Sequence, residues 1–206
     1  MSPRRILAVI VLLVAVVLAS GGPTVAAKPL PKPPEITSAV AVDSRTVDLT
    51  WTSVKGADHY VVTAPGLSPV HVSTTTARIT DLYPGDLHAI YVTAETRRNA
   101  SLGTSPTVYV ATPPEGPRGP LGWAEASDGQ VRIWSGSGIG CVTQDLGILA
   151  GDGTWTSLGD GVDEGGPRTW TIFQGAGTTQ TYAVRCQGSG GLWSPWSEPP
   201  TVVTLS

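Results

Sequence analysis

Indole, thiol and carboxylate are the groups this chain gathers into its second half. Six of its seven tryptophans and both cysteines, Cys141 and Cys186, fall within residues 121–206. Indole faces stack on sugar rings and on cations. Trp123, Trp134 and Trp155 form the candidate ligand-binding set, while Trp170, Trp193 and Trp196 are assigned to packing or bracing. Core and sheet-face packing competes for all six, because aromatics fit a pleated surface. Two thiols are too few to hold a metal, and no histidine lies in this half. Gly151-Asp152-Gly153 and the acidic, glycine-rich residues 159–166 match no calcium-loop spacing and read as solvated loop. His59, His71 and His88 sit apart in the first half with no nucleophile motif nearby. There is no nucleophile elbow, phosphate loop, catalytic carboxylate pair or zinc motif. The expectation is a non-enzymatic chain with no catalytic residue, metal or cofactor; an enzyme of unrecognised motif is the alternative.

These residues follow an export-type N-terminus. Arg4-Arg5 precede Ile6–Ala19, a run without charge, and Val25-Ala26-Ala27 offers a small-residue cleavage site. Residues 1–27 therefore read as a signal peptide. The apolar run is shorter than the roughly 20 residues of a membrane-spanning helix. An uncleaved anchor would need Ser20–Ala27 to extend it, against the helix-breaking Gly21, Gly22 and Pro23. Export implies a secreted, extracellular protein and a compartment where disulfides persist. Residues 28–112 carry seven basic and seven acidic side chains, whereas residues 113–206 carry four and nine. That acidic half repels phosphate, so nucleic acid and anionic lipid are excluded as expected partners.

Two proline-rich stretches, 28–34 and 113–120, read as stiff linkers. They delimit modules at 35–112 and 121–206. Strand signals in the first are Ile36–Val42, Val47–Trp51, His59–Thr63, Val70–Thr74, Ala77–Thr80, Leu87–Ala94 and Thr107–Ala111. Seven short strands without an amphipathic helix suit two antiparallel sheets packed face to face. Asn99-Ala100-Ser101 is a glycosylation sequon beside Arg97-Arg98, in the loop before the last strand.

Pro34-Glu-Ile, Val47-x-Leu-x-Trp51, Tyr60-x-Val62, Leu82-x-Pro84-Gly85 and Ile90-x-Val92-x-Ala94 together resemble a fibronectin type III domain. The resemblance implies an all-β, immunoglobulin-like sandwich. The family usually has a tyrosine three residues after the glycine, with its hydroxyl bonded back across the corner. This chain has His88 there, whose imidazole can donate one such bond.

The second segment resembles the same family more distantly. Trp123–Ala126 and Val131–Trp134 flank a hairpin signal at Ser127–Gln130, Arg168–Phe173 is a later strand, and Thr181–Cys186 aligns with His88–Val92. Tyr182 takes the corner position, Trp134 falls one residue early, and no Leu-x-Pro-Gly precedes Tyr182. The fold expected is thus two tandem fibronectin type III sandwiches after a signal peptide. The alignment places Cys141 on a third strand, Ile139–Thr143, and Cys186 on the sixth. The resemblance makes these strands sheet neighbours, so it implies a Cys141–Cys186 disulfide. Closing a loop of about 45 residues is worth about 4 kcal/mol on loop-entropy grounds.

Trp193-Ser-Pro-Trp196-Ser197 has the Trp-Ser-x-Trp-Ser form of class I cytokine receptors. That resemblance implies a structural brace in which Arg185 inserts between Trp193 and Trp196. Only five residues carry it, and Gln187 stands where a second arginine would be expected, so a receptor is not implied. The role expected is an extracellular binding or spacer module whose partner is a protein or a cell-surface polysaccharide. Carbohydrate binding through the Trp-rich second module is the alternative.

Overall fold

Alternating burial along β2 (Val47–Trp51) shows how the first sandwich forms: Val47, Leu49 and Trp51 are buried, while Asp48 and Thr50 point outward. The computed structural model describes residues 31–117, 121–126, 129–163 and 167–206. The expected signal peptide at 1–27, residues 28–30 and 118–120 of the expected linkers, residues 127–128 of the hairpin signal and residues 164–166 lie outside the described residues. Among the described residues every regular element is a strand, and no helix is long and apolar enough to cross a membrane.

The first sandwich adds β1 (Ile36–Ala41), β3 (His59–Thr63), β4 (Val70–Val72), β5 (Thr76–Ile79), β6 (Leu87–Glu95), β7 (Ser101–Thr104) and β8 (Val108–Ala111). One sheet runs β1-β2-β5 and the other β4-β3-β6-β7, with β8 also on β6. The core between them includes Leu49, Trp51, Tyr60, Val62, Ile79, Ile90 and Val92. Trp51 meets Tyr60 edge to face at 5.5 Å, and the Tyr60 hydroxyl accepts the Val54 N–H.

The last strand differs from expectation. Thr107–Ala111 was expected alone, but β7 and β8 pair successive stretches of β6 as one interrupted strand. Ser105-Pro106 makes the break, since proline has no N–H for the ladder. Ser105 bridges the gap: its N–H donates to the Val92 carbonyl, and its Oγ accepts the Val92 N–H at 3.0 Å. The hydroxyl proton goes to the Pro106 carbonyl. His88 reaches back across the corner as expected, with Nε2 3.0 Å from the Tyr83 carbonyl and 3.2 Å from Thr112 Oγ1.

The second sandwich comprises β9 (Gly122–Glu125), β10 (Gln130–Ser135), β11 (Thr143–Leu149), β12 (Trp155–Asp160), β13 (Val162–Asp163), β14 (Arg168–Phe173), β15 (Thr179–Gln187) and β16 (Thr201–Thr204). Its sheets run β13-β14-β10-β9 and β12-β11-β15-β16. Val131, Ile133, Leu146, Trp170, Tyr182, Val184 and Val203 form a core of their own.

Two expectations are corrected here, the strand carrying Cys141 and the partner of the Tyr182 hydroxyl. The third strand begins at Thr143, so Cys141 lies in the turn before it rather than on a strand at 139–143. Residues 155–160 form a strand that the pattern did not indicate. In the segment read as a stiff linker, the Pro113 carbonyl accepts from the Gly85 N–H, and the Glu115 N–H donates to the Ile139 carbonyl. Tyr182 is buried, and its hydroxyl donates to the Gln174 side chain instead of to backbone.

Two outcomes are expected. Ser105→Ala leaves the buried Val92 N–H without its partner and destabilises the first module by about 1–3 kcal/mol, read from denaturant melts. Burial pushes the Tyr182 phenol above its ordinary value. The unfolded chain releases this proton near pH 10 and the folded chain only at higher pH. The stabilisation is therefore complete below about pH 10 and is lost as pH rises through the folded value. Melting temperature falls more steeply above that pH in the native protein than in Tyr182→Phe.

Candidate functional site

Alternation along β15 turns Tyr182, Val184 and Cys186 inward and Arg185 outward. The segment Trp193–Ser197 runs beside this strand with a proline at its centre. Two serines do the pairing there. Ser194 donates its N–H to the Cys186 carbonyl, and its Oγ accepts the Cys186 N–H at 3.1 Å. Ser197 does the same with Val184, its Oγ accepting at 3.1 Å. Three residues of the segment thus span two of the strand. The tryptophan before each serine lands on the outer face, on either side of Arg185.

The Arg185 Cζ lies 4.6 Å from the Trp193 ring centroid and 4.4 Å from that of Trp196. Trp155, from β12, extends the row: its ring is 5.5 Å from Trp196 and tilted by 30°. Trp196 also covers Gly147 of β11, where a Cβ would come within 2.7 Å of the indole. Asp145 anchors the cation. The residue is 4% exposed, and its carboxylate accepts from Arg185 Nη2 at 3.0 Å, from Arg185 Nε at 3.1 Å, from the Ser157 hydroxyl at 2.6 Å and from the Gly159 N–H at 3.2 Å. A buried charge is tolerated when paired and hydrogen-bonded in this way.

Cys141 and Cys186 are bonded to each other, with Cα atoms 5.4 Å apart. Their sulfurs lie 3.5 and 3.8 Å from the Glu115 carbonyl oxygen. The bond ties the turn before β11 to the end of β15, next to the inter-module segment.

Of the three tryptophans expected to bind ligand, only Trp155 joins Trp193 and Trp196. Trp123 and Trp134 lie on the other sheet. Trp123 is cross-strand to the buried Ile133 and shares its face, 38% exposed at the edge strand. Trp134 faces the opposite way, over Gly122, where there is no room for a Cβ. Trp170 is core, its Nε1–H donating to the Gly159 carbonyl. His59 sits 3.2 Å from Glu95 and stacks on His71 at 6.0 Å. Among the described residues no group of three or more His, Cys, Asp or Glu is arranged to hold a metal. Asp145 was not singled out from the sequence; an aspartate and Gln144 inside a strand conceal its alternation.

Arg185→Ala is expected to destabilise the second module by about 2–3 kcal/mol, below the roughly 3–5 kcal/mol of breaking a fully buried pair, because the arginine is partly exposed. The loss combines the stacking with an uncompensated Asp145. Thermal melts and near-UV dichroism of the indoles check it. The double variant Arg185→Ala/Asp145→Ala recovers part of the loss if the stranded carboxylate is the larger component.

No protein-family model matches the chain, and no curated protein matches it. Solved structures do. A two-domain fibronectin type III segment of chicken tenascin is 13% identical, with a TM-score of 0.53 over 84% of this chain and 99% of that one. The FN1–FN3 domains of chicken CNTN1 are 16% identical, with a TM-score of 0.35 over 84% of this chain and 65% of that one. With the strand orders above, the tenascin likeness fixes the architecture: the chain carries two tandem sandwiches of the fibronectin type III fold.

Proposed function

We propose that the chain is an exported, non-enzymatic module pair serving as a binding and spacing element at a cell surface or in the surrounding medium. The observation that carries the reading is a pair of separately cored sandwiches whose connecting segment is hydrogen-bonded to both. Such a unit holds its two ends at a set distance. The Cys141–Cys186 bond supports an oxidising compartment. The fold hosts many functions, so the partner is argued from the surface alone. A protein or a polysaccharide suits the acidic second module better than nucleic acid or anionic lipid.

One observation favours sugar binding as a second reading: Trp155, Trp193 and Trp196 share an outer sheet face. Their inner faces are occupied by one another and by Arg185. A sugar would therefore stack on the outward face of Trp155 or Trp193, with Trp123 and Trp134 as separate candidate sites on the other sheet.

Small-angle scattering of the unreduced protein tests the spacer. One fixed two-module shape is expected, and a curve that needs a broad ensemble of inter-module angles defeats the reading. Pull-down from the producer's surface fraction tests binding, with enrichment of one surface component expected. Tryptophan fluorescence titrated with cell-wall polysaccharides tests the second reading, and a flat response to all of them removes it.

A further inference from the structure

The two sandwiches meet along a seam of glycines. Gly85, at the corner of the first, faces Gly140, Gly188 and Gly190 of the second. A Cβ on Gly85, Gly140 or Gly188 would collide with backbone across the seam, and one on Gly190 would sit 2.8 Å from the Ala111 Cβ. Backbone therefore meets backbone, and hydrogen bonds cross. The Gly190 N–H donates to the Gly85 carbonyl at 3.0 Å. The Ser189 hydroxyl lies 3.1 Å from that carbonyl and 2.9 Å from Asp86 Oδ1. Arg45 donates to Glu115 at 2.6 Å.

The second-module glycines and the serine of this seam belong to two loops, 138–141 and 188–190. Neither loop has a sheet ladder of its own, and the Cys141–Cys186 bond ties the first to the end of β15, two residues before the second. Gly138 packs against Glu115 and Gly116 as well as against the Cys141 sulfur. The core of the second sandwich is built from β10, β11, β14, β15 and β16; Cys186 pairs with Gln144 in the β11–β15 ladder, whereas Cys141 lies outside these ladders. Cys186 is fully buried, but Cys141 is half-buried and lines an open groove between the modules with Tyr83, Asp86, Ile139 and Ser189.

We infer that the disulfide is a redox lock on the inter-module joint: oxidised, it fixes the angle between the sandwiches, and reduced, it releases the joint while both sandwiches stay folded. The inference rests on the spacer reading above and adds a control to it. A dithiol reductant reaches Cys141 Sγ through the groove. Its thiolate attacks that sulfur, the S–S bond breaks, and Cys186 leaves as a thiolate and takes up a proton. The second thiol of the reductant then displaces Cys141 and closes a cyclic disulfide. Two electrons and two protons pass to the protein.

NMR of the full chain, before and after dithiothreitol, tests this. In the oxidised protein one alignment tensor fits the residual dipolar couplings of both modules, and the Gly190 amide is protected. After reduction, verified by two titratable thiols, separate tensors are expected. Gly190 exchange should accelerate about tenfold or more, while Val184 and Leu146 in the core stay protected. Gly188→Ala, which wedges the seam with the disulfide intact, should give separate tensors without reductant. Unchanged couplings after full reduction overturn the lock. Loss of Val184 and Leu146 protection also overturns it, since the bond would then hold the sandwich itself. Separate tensors in the oxidised native protein would instead defeat the spacer reading.

Discussion

The buried N–H groups of Val184 and Cys186 set the constraint that organises the second module. Both need acceptors, and the chain beside them has a proline where a regular strand would supply pairing. Ser194 and Ser197 resolve this by offering Oγ as well as backbone. Because they stand three apart against two strand positions, Trp193 and Trp196 are placed to flank Arg185. That placement brings the guanidinium over Asp145, which then must be buried and paired. The aromatic row, the ion pair and the orientation of the Cys186 end of β15 all follow from two amide protons finding partners.

The first module meets the same problem with less apparatus. Ser105-Pro106 repeats the device at Val92, down to the hydroxyl donating to the proline carbonyl, as Ser194 does to Pro195. No indoles surround it, and no cation is needed. The corner chemistry is likewise solved in two ways. His88 reaches backbone five residues upstream, whereas Tyr182 reaches Gln174, whose amide in turn holds the Thr178 and Val203 carbonyls.

Legibility followed alternation. Val47-x-Leu-x-Trp51 and Ile90-x-Val92-x-Ala94 read directly as buried faces, because each apolar residue there points into one core. The segment β11 did not read as a strand, because Gln144 and Asp145 are polar and buried, which removes the period-two signal. The expected strand at 139–143 is a turn up to Val142 and joins a ladder only at Thr143, since a cysteine and β-branched residues mimic the pattern. Trp134 was out of step with Trp51 because Ser135 occupies the inward position. The brace around Arg185 was visible as a short string. Its anchor Asp145, 40 residues earlier in the chain, carried no local signal. The seam at Gly85 was equally silent, because glycines chosen for close approach look like turn glycines.

The serine–proline interruptions also bear on self-association. The last strand of each module lies beside its neighbour at one side of the sheet, the interrupted β7–β8 on β6 and β16 on β15. An unbroken edge would present a continuous row of free N–H and C=O groups, which a second molecule could extend into fibrils. A proline in that row removes a donor, and the adjoining serine turns its own hydrogen-bonding groups inward. Each sandwich therefore carries a poor template for strand addition at this edge.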